Sequence, residues 1–475
     1  MNTQARRYGF RIAILTAFLT TFSVVRSPDA ATMSRAQVPF TPGHLTATLD
    51  RVILENSYDN APQLTAAGRV AQRLRARLRK SGSGISPPMR ELKRAVRQRQ
   101  SLLTHTAHVS FVTDDTKKPD EWDVSVQKYP LWLRPEFTST SASFLLNGNA
   151  IATSLAAENI IHAQAPQYAV LNAVNWSADP KKASRVTIDG VAKSGYALNV
   201  AETTTRIAQS LVRGSGSVTV GLTFLPGRII NKSGVDMGDL ALWATGRSDF
   251  KGSDNSRISN VKKALDQHVN NSAVAAGQIF SFNSTLDGRV SEGNGWRMAK
   301  VIVNGGDLVY EPGGGICQAS TTLYRAALLA GLPVLERKAH SLYVLYYKKY
   351  GVGIDATIYP GSQDLSFRND SKYPIIVQAY HEGTNAYVNI YGTPDGRVST
   401  LDGPYFAATA SKEVAKEAGG ISANEIVWLH TVTYADGKTM SETVSSHYKQ
   451  LPKSLITEFP APENTVVAKG TLAMD

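Results

Sequence analysis

A chain of 475 residues is too long for one ordinary core, since domains run to roughly 100–200 residues each, and two to four units are expected. Its 42% hydrophobic and 19% charged content confines disorder to local stretches, and its net charge of +12 is concentrated between Arg69 and Arg99, where Arg73, Arg75, Arg77, Arg79, Lys93, Arg94 and Arg97 face the single acid Glu91. One cysteine excludes an intramolecular disulfide and a cysteine-built zinc site, and nine histidines without ligand spacing point to no metal and no cofactor.

In chain order, Arg6, Arg7 and Arg11 precede the short apolar stretch Ile12 to Val25 and the small residues Ala30 and Ala31. A membrane span needs about 20 apolar residues, and this run is shorter, so residues 1–31 read as a signal peptide or an N-terminal anchor. The expected location is outside the cell, at the wall or in the medium. Residues 32–105 follow as a basic helical region, with Leu64 to Leu103 broken at Ser81 to Pro88. Its arginines suit an anionic wall polymer or a membrane surface, or form a solvated face. Nucleic acid is not expected as a partner, because no recognition motif accompanies the charge.

Residues 106–245 read as an α+β region. Strand-like runs at Trp122 to Val126 and Tyr129 to Leu133, a strand at Ser184 to Gly190, a helix at Val200 to Leu211 and a closing strand at Ser217 to Phe224 make it up. Residues 246–398 open with a helix from Ser256 to Val269, continue through a glycine turn at Gly313 to Gly315 and a helix that runs from Cys317 and stops at Gly331, and show hairpin signals at Arg368-Asn369-Asp370 and Pro394-Asp395-Gly396. Residues 399–475 extend the chain as β structure, with a strand at Ile426 to Tyr434, a turn at Ala435-Asp436-Gly437-Lys438 and a returning polar strand. The fold class is therefore multidomain α+β.

Cys317, the only cysteine, stands where Gly313-Gly314-Gly315 enters a helix. Unpaired N–H groups and the positive dipole end at such a position stabilise a thiolate and pull its pKa below the free value of about 8.5. The alternative is a small buried residue that merely begins the helix. Ala319, Leu323, Ala326, Ala327 and Ala330 form an apolar face, and the helix stops at Gly331 before Pro333. Ser320, Thr321 and Tyr324 share the cysteine's face and read as a cleft wall.

Downstream, Arg337 to Val344 and Gly353 to Ile358 both have strand character and carry His340 and Asp355. A thiolate, an imidazole to move its proton and a carboxylate to orient the imidazole would make a triad, with backbone N–H groups at Cys317 and Gln318, or the Gln318 side chain, as oxyanion donors. The Gly314-Gly315 turn lacks the Gly-Lys-Ser/Thr ending of a phosphate loop but suits an anion such as a peptide carboxylate. Otherwise His340 bonds a backbone carbonyl and Asp355 caps a turn.

These residues resemble the VanW family, named for an accessory protein of B-type vancomycin resistance clusters. The matching stretches are Ile279-Phe280-Ser281-Phe282-Asn283, Gly313 to Tyr324, Ala327 to Leu332, Glu336-Arg337, His340-Ser341, Asp355-Ala356-Thr357 and Asp364 to Asn369, covering about residues 245–395. Arg185 to Thr223 is similar to a peptidoglycan-binding domain that often precedes VanW domains. Val344 to Gly351 departs from the family pattern, where relatives tend to carry proline-rich turn residues. The resemblance implies a cysteine-bearing helix packed on a mostly antiparallel sheet, work in the cell envelope and a link to glycopeptide resistance. Peptidoglycan or wall peptides would be the partner, either bound without turnover or acted on by the thiol as a hydrolase or a transpeptidase.

Overall fold

A computed structural model describes residues 63–459, apart from 114–117, 180, 215, 287 and 304, together with residues 466–468. The signal or anchor expected in residues 1–31 lies outside the described residues. The chain divides into two compact units, one holding residues up to 96 with 134–143, the other residues 97–133 and 144 onward. In order, the elements are α1 (Gln63–Lys80), α2 (Met89–Thr104), β1 (Thr106–Val112), β2 (Asp120–Ser125), β3 (Leu133–Phe137), β4 (Ala142–Leu146), α3 (Gly148–Glu158), β5 (Tyr168–Asn175), β6 (Ser184–Asp189) and β7 (Gly195–Ala197). There follow α4 (Val200–Arg213), β8 (Gly216–Gly221), β9 (Thr223–Leu225), β10 (Arg228–Asn231), β11 (Ala241–Asp249), α5 (Asn255–Lys263), β12 (Ser272–Val274), β13 (Ile279–Ser281), β14 (Met298–Val303) and β15 (Asp307–Pro312). The last are α6 (Ile316–Leu329), β16 (Val334–Glu336), β17 (Ser366–Arg368), β18 (Ile375–Glu382), β19 (Asn385–Gly392), β20 (Val398–Tyr405), α7 (Lys412–Glu417), β21 (Glu425–Thr433), β22 (Thr439–His447), α8 (Lys453–Glu458) and β23 (Val466–Ala468).

Within the first unit, α1 buries Ala67, Val70, Ala71, Leu74 and Leu78 at helical spacing and exposes Arg69, Arg73, Arg77, Arg79 and Lys80. The expected break at Ser81 to Pro88 separates it from α2, whose Pro88 carbonyl accepts from Glu91 and Leu92. In the second unit Arg99 departs from the basic face. It is buried, and desolvation lowers its guanidinium to about 10.

The second unit is built on a closed barrel in the order β10-β11-β19-β18-β12-β6-β5, antiparallel throughout except where β5 meets β10. Residues alternate between two buried sides, so Ile376 opposite Tyr391 joins the core with Leu171, Ile229 and Ala273, while Val377 opposite Ile390 packs towards α6. Strand β11 runs across the junction expected at 245/246, because closure draws strands from both sides of it. The α+β class holds, with α6 seated on β11 and β19. The contact is close at Gly246, where a Cβ would lie 2.0 Å from the Thr322 carbonyl oxygen.

Several local expectations change. Tyr129 to Leu133 opens with a 3-10 turn at Pro130–Trp132, since proline lacks the N–H a ladder needs. The strand expected at Ser217 to Phe224 does not share a sheet with β6. Its first part, β8, pairs in parallel with β1, and β9 pairs with β7. The turns at Arg368 to Asp370 and Pro394 to Gly396 are not hairpins but hand the chain from one sheet to another: β17 lies with β13 and β16, β18 and β19 in the barrel, and β20 between β21 and β23. The hairpin of β21 and β22 forms as read. The helix expected to Val269 turns from α-helix to π-helix at Ala264.

Candidate functional site: a cysteine, histidine and aspartate at the start of a buried helix

Helix α6 begins at a turn that only glycine fits. Gly315 is its N-cap in the left-handed region (φ 114°), and a Cβ on Gly314 would meet the Ala299 carbonyl carbon at 2.6 Å. Asn260 locks the turn by donating from Nδ2 to the Gly314 carbonyl at 2.9 Å and to the Arg297 carbonyl at 2.8 Å. The turn at Gly314 and Gly315, expected to suit an anion, is thus packed on its Cα side against β14 and α5. Ile316 N–H donates to the Gly313 carbonyl and Gln318 N–H to that of Gly315, whereas Cys317 N–H has no backbone acceptor among the described residues.

The rest of α6 is buried on all sides. Ser320, Thr321 and Tyr324, expected to line a cleft, lie in the interior. Ser320 Oγ donates to the Ala356 carbonyl at 2.7 Å, and Ala356 N–H donates to Thr321 Oγ1 at 3.1 Å. These bonds pin Gly353 to Ile358 along the helix. That segment and Arg337 to Val344 are not strands, and they meet in a single bridge between Lys338 and Thr357. Gln318 is committed as well: its Oε1 accepts from Arg257 Nη2 at 2.8 Å and its Nε2 donates to Ser248 Oγ at 2.6 Å. It has no amide left for an oxyanion.

Pinning brings the three expected residues together. Cys317 is half-buried, its Sγ donates to the Ile358 carbonyl oxygen at 3.6 Å, and His340 bears on the thiol. His340 is buried, with Nδ1 bonded to Asp355 Oδ2 and its backbone N–H donating to the same oxygen at 3.0 Å. Tyr347 from the segment that departs from the family pattern packs on the imidazole, ring centroids 5.2 Å apart. Asp355 and His340 therefore meet despite that departure.

The charges follow from these contacts. Burial disfavours the imidazolium, yet the bonds to Asp355 and Cys317 outweigh it and raise His340. Burial likewise pushes the Cys317 thiol up, but the His340 bond and charge, with Arg257 beyond, carry it below its ordinary value. For Asp355 the burial penalty is overcome by His340 and Arg337, and the carboxyl is depressed to about 2. The thiol and the carboxyl are thus shifted down and the imidazole up, each mainly by its neighbours overcoming the effect of burial.

Sequence reasoning missed three supporting groups. Arg337, present only as part of a motif, donates to the Asp355 carbonyl at 2.6 Å and stacks over Tyr324 at 5.0 Å. Tyr448 donates to Asp355 Oδ1 at 2.7 Å from the far end of the chain, where no local pattern marks it. Arg257, one turn into α5, bears on the thiol while holding Gln318. Nearby, Tyr346, Lys348, Tyr350, Trp428 and Phe459 line a groove of about 520 Å3. Among the described residues no group of three or more His, Cys, Asp or Glu is placed to hold a metal, and no helix is long and apolar enough to cross a membrane.

Comparison identifies the domain of this antiparallel α+β scaffold: residues 256–391 match the family described as VanW like protein, so the chain carries a VanW-like domain. The match does not reach Arg185 to Thr223. Over 147 residues the chain is 35% identical to "Uncharacterized protein YoaR" of Bacillus subtilis (strain 168), covering 30% of this chain and 46% of that protein. The chain thus spans about half the length of the curated relative it matches. No solved structure matches it.

Proposed function

We propose that the VanW-like domain performs thiol acyl transfer on peptides of the cell wall. The observation that carries this reading is the His340–Asp355 bond beside the half-buried Cys317, with the thiol below and the imidazole above their ordinary values through their mutual influence. In the first step the Cys317 thiolate attacks a peptide carbonyl carbon, a C–S bond forms, and the oxyanion is met by the Cys317 N–H. The C–N bond then breaks as the His340 imidazolium gives its proton to the leaving amine. Water or a second amine, deprotonated by His340, attacks the thioester and releases the thiolate. Water makes the protein a hydrolase and an amine makes it a transpeptidase.

Wall peptides are the substrate class because the VanW resemblance points to the envelope and the N-terminal residues read as an export signal. The region of Arg185 to Thr223 and the exposed arginines of α1 and α2 would add attachment to peptidoglycan or to anionic wall polymers. The test is incubation of the full chain with soluble wall peptides, acid quenching and intact mass measurement. An acyl adduct on Cys317, absent in C317S, is expected. Saturable binding of the same peptides without adduct or turnover would mean a non-catalytic accessory protein.

A further inference from the structure

The two oxygens of Asp355 are served by different parts of the chain. Oδ2 faces His340, whereas Oδ1 accepts from the Tyr448 phenol at 2.7 Å and lies 3.5 Å from Arg337 Nη2. Tyr448 follows β22, beyond the end of the VanW-like segment at residue 391. The same stretch is tied to both loops of the site: Lys449 N–H donates to the Ser341 carbonyl at 2.8 Å, and Arg337 Nη1 donates to the Ser445 carbonyl at 2.7 Å. Ser446 Oγ donates to the Gly353 carbonyl. Tyr448 itself is buried, with its ring edge-on to Tyr343 at 5.6 Å.

We infer that Tyr448 is a positioning residue for the thiol site: its phenol holds Asp355 with Oδ2 turned to His340 and restrains how strongly that carboxylate draws the imidazole proton. The inference rests on the thiol reading proposed above. Arg337 alone, at 3.5 Å, would leave Oδ1 weakly held. A carboxylate that loses a donor becomes more basic, so its hold on the His340 proton tightens. Tyr448 can serve across the working range because burial first, and the adjacent Asp355 charge second, keep its phenol protonated well above the usual value. The other titratable or charged groups facing the pair are Cys317 and Tyr324 from α6, Arg337, Tyr347 and Arg257. Arg325 also feels the Asp355 charge, and Tyr343 is kept neutral by burial and then by the Glu458 charge.

The test is the pH profile of Cys317 alkylation by iodoacetate in the full chain. This anionic probe is drawn by the imidazolium, so its rate falls as His340 loses its proton and the upper limb reports that step. In Y448F the upper limb should move to higher pH by about half a unit or more, a threefold change in proton affinity. Y343F, which removes a neighbouring hydroxyl with no bonded partner among the described residues, should leave the limb in place. Difluorotyrosine in place of Tyr448 keeps the shape and sharpens the donor, and should move the limb to lower pH even if Y448F fails to fold. Superimposable profiles for the wild type and either Tyr448 replacement would overturn the inference while leaving the thiol reading intact. A wild-type thiol that reacts only above pH 8 would instead overturn the thiol reading, and this inference with it.

Discussion

Cys317 and His340 set each other's charge, and Asp355 decides whether the arrangement survives acid. Its carboxyl lies at about 2 when folded, against an ordinary value near 3.9. A depressed carboxyl stabilises the fold above its unfolded value, and that contribution is lost as pH falls through the folded one. D355N should therefore flatten the fall in unfolding free energy between about pH 4 and pH 2, by on the order of 2 kcal/mol. Urea titrations across that range check it, and a slope unchanged by the substitution would count against the buried carboxylate. Cys317, His340 and Asp355 were legible because their chemistry is distinctive and their order along the chain is short. Tyr448 and Arg337 were not, since a tyrosine or arginine becomes a partner of the acid only when distant segments are folded onto it. Gln318 was misread for the converse reason: its amide looks free until Ser248 and Arg257 are brought beside it.

Helix α6 organises the site as an element. Its pattern reads as one apolar face, yet all sides are buried, because polar residues on the other side meet backbone rather than water. Arg325 is the extreme case, donating to the carbonyls of Arg247, Tyr347, Lys349, Gly351 and Ile354. The bond to Ile354 helps to hold as a loop the Gly353 to Ile358 segment that alternation suggested was a strand. The dependence on close approach is testable at Gly246. G246A places a Cβ 2.0 Å from the Thr322 carbonyl oxygen and 2.6 Å from the Ala326 nitrogen, and should cost about 1–3 kcal/mol of stability. G293A, with nothing within 4 Å of its Cβ, should be close to neutral. Equal denaturation midpoints for the two variants would contradict the packing described for α6 and β11.

At the scale of the whole molecule, the α+β class was legible from alternation and turn chemistry, but the barrel was not. Its strands come from residues 168–392 in an order that local patterns do not encode, and closure depends on the parallel pairing of β5 with β10. The exposed arginines of α1 and α2 were legible as charge alone. Attachment through them should weaken with salt, since the screening length falls from about 10 Å at 0.1 M to about 3 Å at 1 M. Glutamine at the exposed Arg69, Arg73, Lys80 and Lys93 should remove most of the salt-dependent part of binding to isolated walls. Unchanged salt dependence in a sedimentation assay would make these residues a solvated face.

The central claim is that Cys317 is held as a thiolate by His340, and its most direct test is the rate of iodoacetamide labelling at pH 6. An ordinary thiol with pKa about 8.5 is only about 0.3% ionised there. The wild type should label readily, H340A should lose at least about tenfold in rate, and D355N should lose less, because the carboxylate orients the imidazole without touching the sulfur. Labelling that appears only above pH 8, or that proceeds equally well without His340, would contradict the account and leave Cys317 as a structural residue of the VanW-like domain.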